Sequence, residues 1–151
     1  GAVKSELQFY EDAQTAYDSV KKWYPENKIT ILGYSIGTAA AAMLASKNNP
    51  QRLILQAPYY SLRDMAQHTY PYLPSFLLKY TFATYRYVKE TTAPVTIFHG
   101  DKDEVIYYES SSVKLKACLK PGDTLITLPG QGHNGMTDNP DYLTAIRRIL
   151  E

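Results

Sequence analysis

A serine, an aspartate and a histidine at three distant points of the chain have the side chains that nucleophilic catalysis needs. Ser35 lies within Gly-Tyr-Ser-Ile-Gly at positions 33–37, and Asp103 and His133 follow it along the chain. A serine hydroxyl is a weak nucleophile until a base takes its proton, and an imidazole can accept that proton near neutral pH and return it. A carboxylate can hold the imidazole tautomer and stabilise the imidazolium.

The sequence around Ser35 predicts a sharp turn between a strand and a helix. The apolar run 28–32 precedes the pentapeptide and an alanine-rich run, 38–45, follows it. Strand, Gly-x-Ser-x-Gly, helix is the context of a nucleophile elbow. We expect both Gly33 and Gly37 to be required, because a Cβ at either position would meet the neighbouring strand or helix. The amide of Ile36 would then point at the negative charge that develops in acyl transfer.

Asp103 and His133 each follow a predicted strand, and other residues near them compete for the same roles. Asp101 lies two positions before Asp103 and could be the acid instead. His99 is interpreted as a structural residue that closes the turn after its strand. His68 is interpreted as a surface or partly packed residue that could line a pocket. His133 is flanked by glycines, which suits an exposed loop that delivers a side chain.

These motifs resemble those of the α/β-hydrolase superfamily and, within it, the small serine hydrolases of the Bem46-like group. The resemblance is carried by residues 33–37, 56–62, 98–106 and 132–134, and it covers nearly the whole chain from about Phe9 onward. The chain order Ser, Asp, His is that of this superfamily. The resemblance implies that Ser35 is the nucleophile, Asp103 the acid and His133 the base, and it favours Asp103 over Asp101.

The hydrophobic pattern predicts an α/β fold in a single domain, residues 1–151, with about four parallel strands flanked by helices. The predicted strands are 28–32, 52–56, 95–98 and 125–128, and the predicted helices are 7–24, 36–47, 107–119 and 140–150. The resemblance implies that these strands are the second half of a hydrolase sheet. We therefore expect the chain to be truncated on its N-terminal side.

An aromatic-rich insert over about residues 58–90 lies where this superfamily places a cap over the active site. It contains seven of the 14 tyrosines: Tyr59, Tyr60, Tyr70, Tyr72, Tyr80, Tyr85 and Tyr87. Aromatic rings give an apolar lining with a polar tip. We expect Tyr34, Tyr59 and Tyr60 to contact the substrate. The alternatives are that the insert packs as ordinary core or covers surface left bare by the missing half.

The predicted strand 28–32 would be a sheet edge in a truncated fold. Unpaired amides on an apolar edge strand are a template for pairing with another chain. We therefore predict a homodimer through strand 28–32, with two sheets joined across a two-fold axis. The truncation would also remove the second oxyanion donor of the superfamily, which comes from a loop after an early strand.

Composition excludes several other classes of function. The formal net charge of +1 gives no electrostatic case for nucleic-acid binding. The single cysteine, Cys118, excludes an internal disulfide and favours a reducing, cytoplasmic compartment. No apolar run is long enough to span a membrane. The three histidines lack ligand spacing, so we expect no metal and no cofactor.

Together these observations predict a serine hydrolase of the carboxylesterase or thioesterase kind. It would cleave small acyl esters through an acyl-enzyme on Ser35. The alternative is a non-catalytic or weakly active half-hydrolase that acts as a dimerising scaffold.

Overall fold

The computed structural model describes residues 5–69 and 80–151. Strands and helices alternate along these residues. In chain order the elements are α1 (Glu6–Lys21), β1 (Thr30–Tyr34), α2 (Thr38–Lys47), β2 (Arg52–Gln56), α3 (Leu62–Thr69), α4 (Thr84–Glu90), β3 (Val95–Gly100), α5 (Ser112–Lys116), β4 (Thr124–Leu128) and α6 (Pro140–Leu150). Tyr70 and Tyr72 of the predicted insert lie outside the described residues.

The strands form one parallel sheet in the order β1-β2-β3-β4, and helices cover both of its faces. This arrangement confirms the α/β fold expected from the alternating pattern. All carboxyl ends of a parallel sheet meet at the same edge, because the strands run in one direction. The loops that follow β1, β3 and β4 carry Ser35, Asp103 and His133, so the sheet brings these distant residues to a common edge.

One face of the sheet is covered by α2, whose alanines allow a close approach. Ala41, Ala42 and Ala45 are buried in a core cluster with Leu53 and Leu55 of β2. Small side chains shorten the distance between a helix and a sheet and bring the two backbones close together. The first turn of α2 is consequently held against the end of β1, where Ser35 lies.

The opposite face is covered by α6. Its buried residues Tyr142 and Ile146 pack against Ile54, Phe98 and Leu128 of the three strands β2 to β4. The start of this helix is as predicted, since the Asn139 side chain accepts hydrogen bonds from the Asp141 and Tyr142 amides and Pro140 is the first residue.

The described part of the insert packs against α1 and α2 as core. The Glu6 carboxylate of α1 accepts hydrogen bonds from the amides of Thr81 and Phe82, at 2.8 and 3.0 Å. The Phe82 ring packs edge-on against the Tyr10 ring of α1, and Tyr87 does the same. These contacts favour the core-packing alternative for the described aromatic residues.

Several predicted elements have different bounds in the structure: the helix predicted over 7–24 ends at Lys21, and the one predicted over 36–47 begins at Thr38. The strand predicted over 28–32 is Thr30–Tyr34, because Gly33 and Tyr34 continue the pairing with β2 up to the turn. The helix predicted over 107–119 is only Ser112–Lys116. The residues between β3 and Ser112 form a loop instead, in which the amides of Val105 and Ile106 bind the Asp103 carboxylate.

Among the described residues, no helix combines the length and apolar character that a membrane crossing requires.

The glycines of the pentapeptide have different constraints. A Cβ on Gly33 would lie 2.6 Å from the Ala41 Cβ and 2.9 Å from the Gly37 carbonyl oxygen. A Cβ on Gly37 would meet nothing within 4 Å among the described residues, and its φ of −71° is helical. The expectation that both glycines are sterically required is therefore right for Gly33 and wrong for Gly37 within the described chain.

We predict that Gly33→Ala lowers the free energy of unfolding by about 2 kcal/mol or more, because β1 and α2 must separate to admit the methyl group. Gly37→Ala is the matched control and should change it by less than about 0.5 kcal/mol. Urea unfolding followed by circular dichroism measures both. Equal losses in the two variants would contradict the close approach of β1 and α2.

Candidate active site

Ser35 occupies a strained turn between β1 and α2. Its φ is 51°, in the left-handed region that residues with a Cβ rarely adopt. The Thr38 hydroxyl donates to the Ser35 carbonyl oxygen at 2.6 Å, and the Tyr59 hydroxyl donates to the Ile36 carbonyl oxygen at 3.1 Å. Strained backbone persists where surrounding contacts hold it, and it is concentrated at functional sites. The geometry matches the elbow predicted from the pentapeptide.

The structure brings His133 within hydrogen-bonding distance of both Ser35 and Asp103. His133 Nε2 lies 3.0 Å from Ser35 Oγ, and His133 Nδ1 lies 2.8 Å from Asp103 Oδ2. A carboxylate can only accept, so Nδ1 carries the hydrogen and Nε2 is free to accept the serine proton. We call these residues the Ser–His–Asp group. Its arrangement is that of a nucleophile, a base and an orienting acid.

The Asp103 carboxylate is buried and has four hydrogen-bond donors. Oδ1 accepts from the amides of Val105 and Ile106, at 2.9 and 2.8 Å. Oδ2 accepts from His133 and from His99, the latter at 3.2 Å. Burial by itself raises the pKa of Asp103, but the hydrogen bonds, that from His99 foremost, outweigh it and lower the pKa to about 2. The carboxylate is therefore ionised throughout the neutral range.

Asp101, the competing acid, has a different partner. Its exposed carboxylate accepts a hydrogen bond from the Gly130 amide at 2.7 Å. This bond ties the loop after β3 to the loop after β4. Asp103 is therefore the hydrogen-bond partner of His133, and Asp101 stabilises the contact between the two loops.

Tyr34 holds the loop that carries His133. Its ring faces the imidazole with the centroids 5.3 Å apart and the planes inclined by 31°. Its hydroxyl donates to the His133 carbonyl oxygen at 3.0 Å and lies 3.2 Å from Asn134 Oδ1. The Tyr34 ring is partly exposed, and a contact with substrate remains a prediction for this residue.

The other two tyrosines expected to contact substrate are less exposed than Tyr34. Tyr59 is 1% exposed, and its hydroxyl stabilises the turn at Ser35 by donating to the Ile36 carbonyl oxygen. The Tyr60 ring stacks on Tyr85 at 4.5 Å, and Lys114 Nζ lies 5.6 Å from its centroid. In this arrangement Tyr59 is a packing residue, while a substrate contact by Tyr60 remains a prediction.

His99 makes a contact that the sequence interpretation missed. Its buried ring bonds to Ser112 and to the Ile106 carbonyl oxygen, as expected of a structural residue, but also to Asp103. The four-residue spacing to Asp103 gives no signal for such a contact, because it crosses a loop. His68, by comparison, is exposed and packs its ring edge against Tyr107, as its interpretation as a surface residue anticipated.

Three clefts adjoin the Ser–His–Asp group. One, of about 350 Å³, includes His133 and has a mainly polar lining. A second, of about 320 Å³, is lined by Tyr34, Gln56, Asn134 and Met136. A third, of about 410 Å³, includes Asp103 and is lined by His68, Asp101, Tyr107 and Tyr108. The second and third combine aromatic or apolar side chains with a few polar groups, which is the usual character of small-molecule sites. The described residues contain no group of three metal-ligating side chains.

Comparisons of the sequence with known proteins find hydrolases. The family described as serine aminopeptidase, S33 matches residues 1–84. An uncharacterized protein of Mycobacterium tuberculosis is 32% identical over 126 residues, which are 82% of this chain and 44% of that protein. The human alpha/beta hydrolase domain-containing protein 17B is 29% identical over 149 residues, 97% of this chain and 50% of that protein. The chain thus spans about half the length of these relatives.

Solved structures with the same fold include esterases. An acetyl xylan esterase from Paenibacillus sp. R4 superposes with a TM-score of 0.75 and 17% identity, covering 95% of this chain and 51% of that one. The Pyrococcus furiosus esterase Pf2001 gives a TM-score of 0.75 and 17% identity over 99% of this chain and 64% of that one. At this level of identity the likeness shows the fold.

The depressed pKa of Asp103 predicts a pH dependence of stability. A carboxyl group with a folded-state pKa near 2 and an unfolded value of about 3.9 contributes about 2 kcal/mol above pH 4, and this contribution is lost as the pH falls toward 2. In urea unfolding between pH 5 and pH 3, Asp103→Asn should lose less stability than the wild type. Asp101→Asn, the matched control, should follow the wild-type slope. Identical slopes for all three proteins would contradict the hydrogen-bond pattern assigned to Asp103.

Proposed function

The chain belongs to the serine aminopeptidase S33 family of α/β hydrolases, and from this premise we propose that it is a serine hydrolase that cleaves small carboxylic esters or thioesters. The observation that carries the proposal is the hydrogen-bonded line from Ser35 Oγ through the His133 ring to Asp103 Oδ2. Each atom in this line has the donor or acceptor character that acyl transfer requires.

In the proposed reaction His133 Nε2 takes the proton of Ser35 as the serine oxygen attacks the ester carbonyl carbon. The carbonyl π electrons move to oxygen, and the tetrahedral intermediate collapses as the bond to the leaving group breaks. His133 returns its proton to the leaving alcohol or thiol. A water molecule then repeats these steps on the acyl-enzyme, with His133 as base, and releases the carboxylic acid and free Ser35. Atoms and protons balance without a cofactor.

The surroundings of Ser35 and His133 support this sequence of steps. The Ile36 amide lies in the first helical turn after Ser35, where N–H groups have no acceptor within the helix. It is the proposed donor to the oxyanion. The carboxylate of Asp103 stays charged at neutral pH, because its pKa is about 2, and it stabilises the imidazolium that forms twice in each turnover.

Esters and thioesters are proposed ahead of peptide amides because an alkoxide or thiolate leaves more easily than an amine. Ile36 is the oxyanion donor that we assign within the described residues, and removal of one such donor typically costs about 10²–10³ in rate. The two clefts beside Tyr34 and Asp103 are the proposed sites of the acyl and leaving groups.

We predict that a fluorophosphonate probe labels the wild type and that Ser35→Ala abolishes the labelling. With p-nitrophenyl acetate, Asp103→Asn should lower kcat by about 10³–10⁴, because the imidazole loses its orienting acceptor. Asp101→Asn is the matched control and should remain close to the wild type. A folded wild type that neither reacts with the probe nor turns over the ester would instead support the alternative, a non-catalytic half-hydrolase scaffold.

We also propose that the chain forms a homodimer through β1. This strand is an edge of the described sheet, and Leu32 at its centre is 51% exposed. An apolar edge strand without proline or a bulge is suited to pairing with another strand. Two copies joined antiparallel through β1 would satisfy the outer backbone groups of both and cover Leu32.

Light scattering at micromolar concentration should give twice the mass of one chain. Leu32→Lys should return the mass to that of one chain, because pairing would bury the new charge. Leu7→Lys, at an exposed position of α1, is the control and should leave the dimer intact. A wild-type mass of one chain would overturn this proposal.

A further inference from the structure

We propose that His99 is a positioning residue of the Ser–His–Asp group, which holds Oδ2 of Asp103 and limits how strongly this oxygen stabilises protonated His133. The proposal rests on the serine hydrolase function proposed above and adds a residue to its machinery. It starts from the observation that two imidazoles share one carboxylate oxygen. His133 Nδ1 lies 2.8 Å from Oδ2 and His99 Nε2 lies 3.2 Å from the same atom.

The hydrogen bonds of His99 define which of its nitrogens carries a hydrogen. Nε2 lies 2.8 Å from the Ile106 carbonyl oxygen, which can only accept, so Nε2 is a donor. Its hydrogen is shared between that carbonyl and Asp103 Oδ2. Nδ1 lies 2.6 Å from Ser112 Oγ, and in the neutral ring Nδ1 accepts from this hydroxyl. The Ile106 carbonyl thus fixes the tautomer that donates to Asp103, and the Ser112 hydroxyl satisfies the other ring nitrogen.

Burial restricts His99 to an indirect part in the reaction. The side chains of His99 and Ser112 are both fully buried, so no substrate atom reaches them. A hydrogen bond to a charged group is stronger in such surroundings than in water. Oδ1 of Asp103 is held by the amides of Val105 and Ile106, while Oδ2 is held by His99 and His133. The carboxylate is therefore fixed at both oxygens and cannot rotate away from His133.

Each hydrogen bond that a carboxylate accepts also lowers its affinity for a proton and for further hydrogen-bond donors. His99 competes with His133 for Oδ2, so it weakens the attraction between Oδ2 and the His133 imidazolium. A base that is held too strongly in its protonated form accepts the serine proton only at higher pH. By this reasoning, His99 limits how far Asp103 favours the protonated form of His133 over the free base.

The groups that face the two rings are few and identified. Tyr108 presents its ring to His99 at 5.6 Å, with the planes at 84°, and the hydrogen-bond partners of His99 are Ser112, Asp103 and the Ile106 carbonyl oxygen. His133 faces Tyr34, Ser35 and Asp103. Burial and, second, the Asp103 charge raise the pKa of Tyr34, so this phenol stays neutral and uncharged in the relevant range. Asp103 is thus the charged group that both imidazoles contact.

The test compares His99→Asn with His99→Gln, two carboxamides that differ by one methylene group. The Gln amide nitrogen reaches the position of imidazole Nε2 and can still donate to Asp103. The Asn amide reaches only the position of Nδ1, so it keeps the polar contact with Ser112 and removes the donor to Asp103. Any general effect of replacing the ring is common to both variants.

In His99→Asn the titration of His133 should shift to higher pH by about half a unit, which corresponds to a modest strengthening of its bond to Asp103. In ester hydrolysis, the acid side of the pH profile of kcat/KM should shift to higher pH by the same amount. Activity should consequently fall about threefold on the acid side and approach the wild type on the alkaline side, with KM unchanged. His99→Gln should titrate as the wild type. A merely structural role for His99 would lower activity equally at all pH values.

The His133 titration is measured by ¹⁵N imidazole shifts, which the chain allows because it contains three histidines. Assignment uses a His68 variant. This measurement does not depend on turnover. A wild type without ester activity would therefore contradict the proposed function, while the comparison of the His99 variants could still be made. Unchanged His133 titration in folded His99→Asn, or equal shifts in both variants, overturns the inference. If His99→Asn does not fold, His99→Leu, which has no donor, replaces it in the same comparison.

Discussion

The arrangement of the candidate site depends on one buried carboxylate. Asp103 accepts hydrogen bonds from two backbone amides of its own loop, from His99 of β3 and from His133 on the loop after β4. A buried anion is tolerated only where its oxygens are satisfied by donors. The requirement to satisfy Asp103 therefore fixes the loop after β3, and through His133 it fixes the loop after β4 as well.

A second constraint is steric and acts at Ser35, the other end of the hydrogen-bonded line that runs through His133 to Asp103. Ser35 holds a left-handed backbone conformation, and it can do so because Thr38 and Tyr59 bind the carbonyl oxygens of Ser35 and Ile36 within the turn. The turn is tight because α2 lies directly on β1, with Gly33 facing Ala41. The alanine-rich sequence of α2 is therefore a condition for the geometry of Ser35.

Loops connect the two constraints across the edge of the sheet. The Tyr34 hydroxyl bonds to the carbonyl of His133, and the Asp101 carboxylate bonds to the amide of Gly130. Both bonds join segments that are far apart in sequence. They hold the His133 loop between the elbow and the Asp103 loop, which keeps its imidazole within reach of both partners. Positioned in this way, His133 would need no large rearrangement to accept a proton from Ser35 in the proposed reaction.

Local sequence determined the order of strands and helices, the elbow after β1, the Asn139 cap of α6 and the three residue types of the Ser–His–Asp group, because each depends on neighbours within a few positions. Neighbouring residues left Asp101 and Asp103 as alternatives, the family resemblance favoured Asp103, and the structure shows Asp103 in contact with His133. Tertiary structure alone decided that His99 shares the same carboxylate oxygen and that the buried Tyr59 hydroxyl bonds to the Ile36 carbonyl. It also reduced the helix predicted over 107–119 to Ser112–Lys116. The physical reason is that a hydrogen bond across loops depends on how sheet register and helix packing place distant atoms, and no periodicity along the chain records that placement.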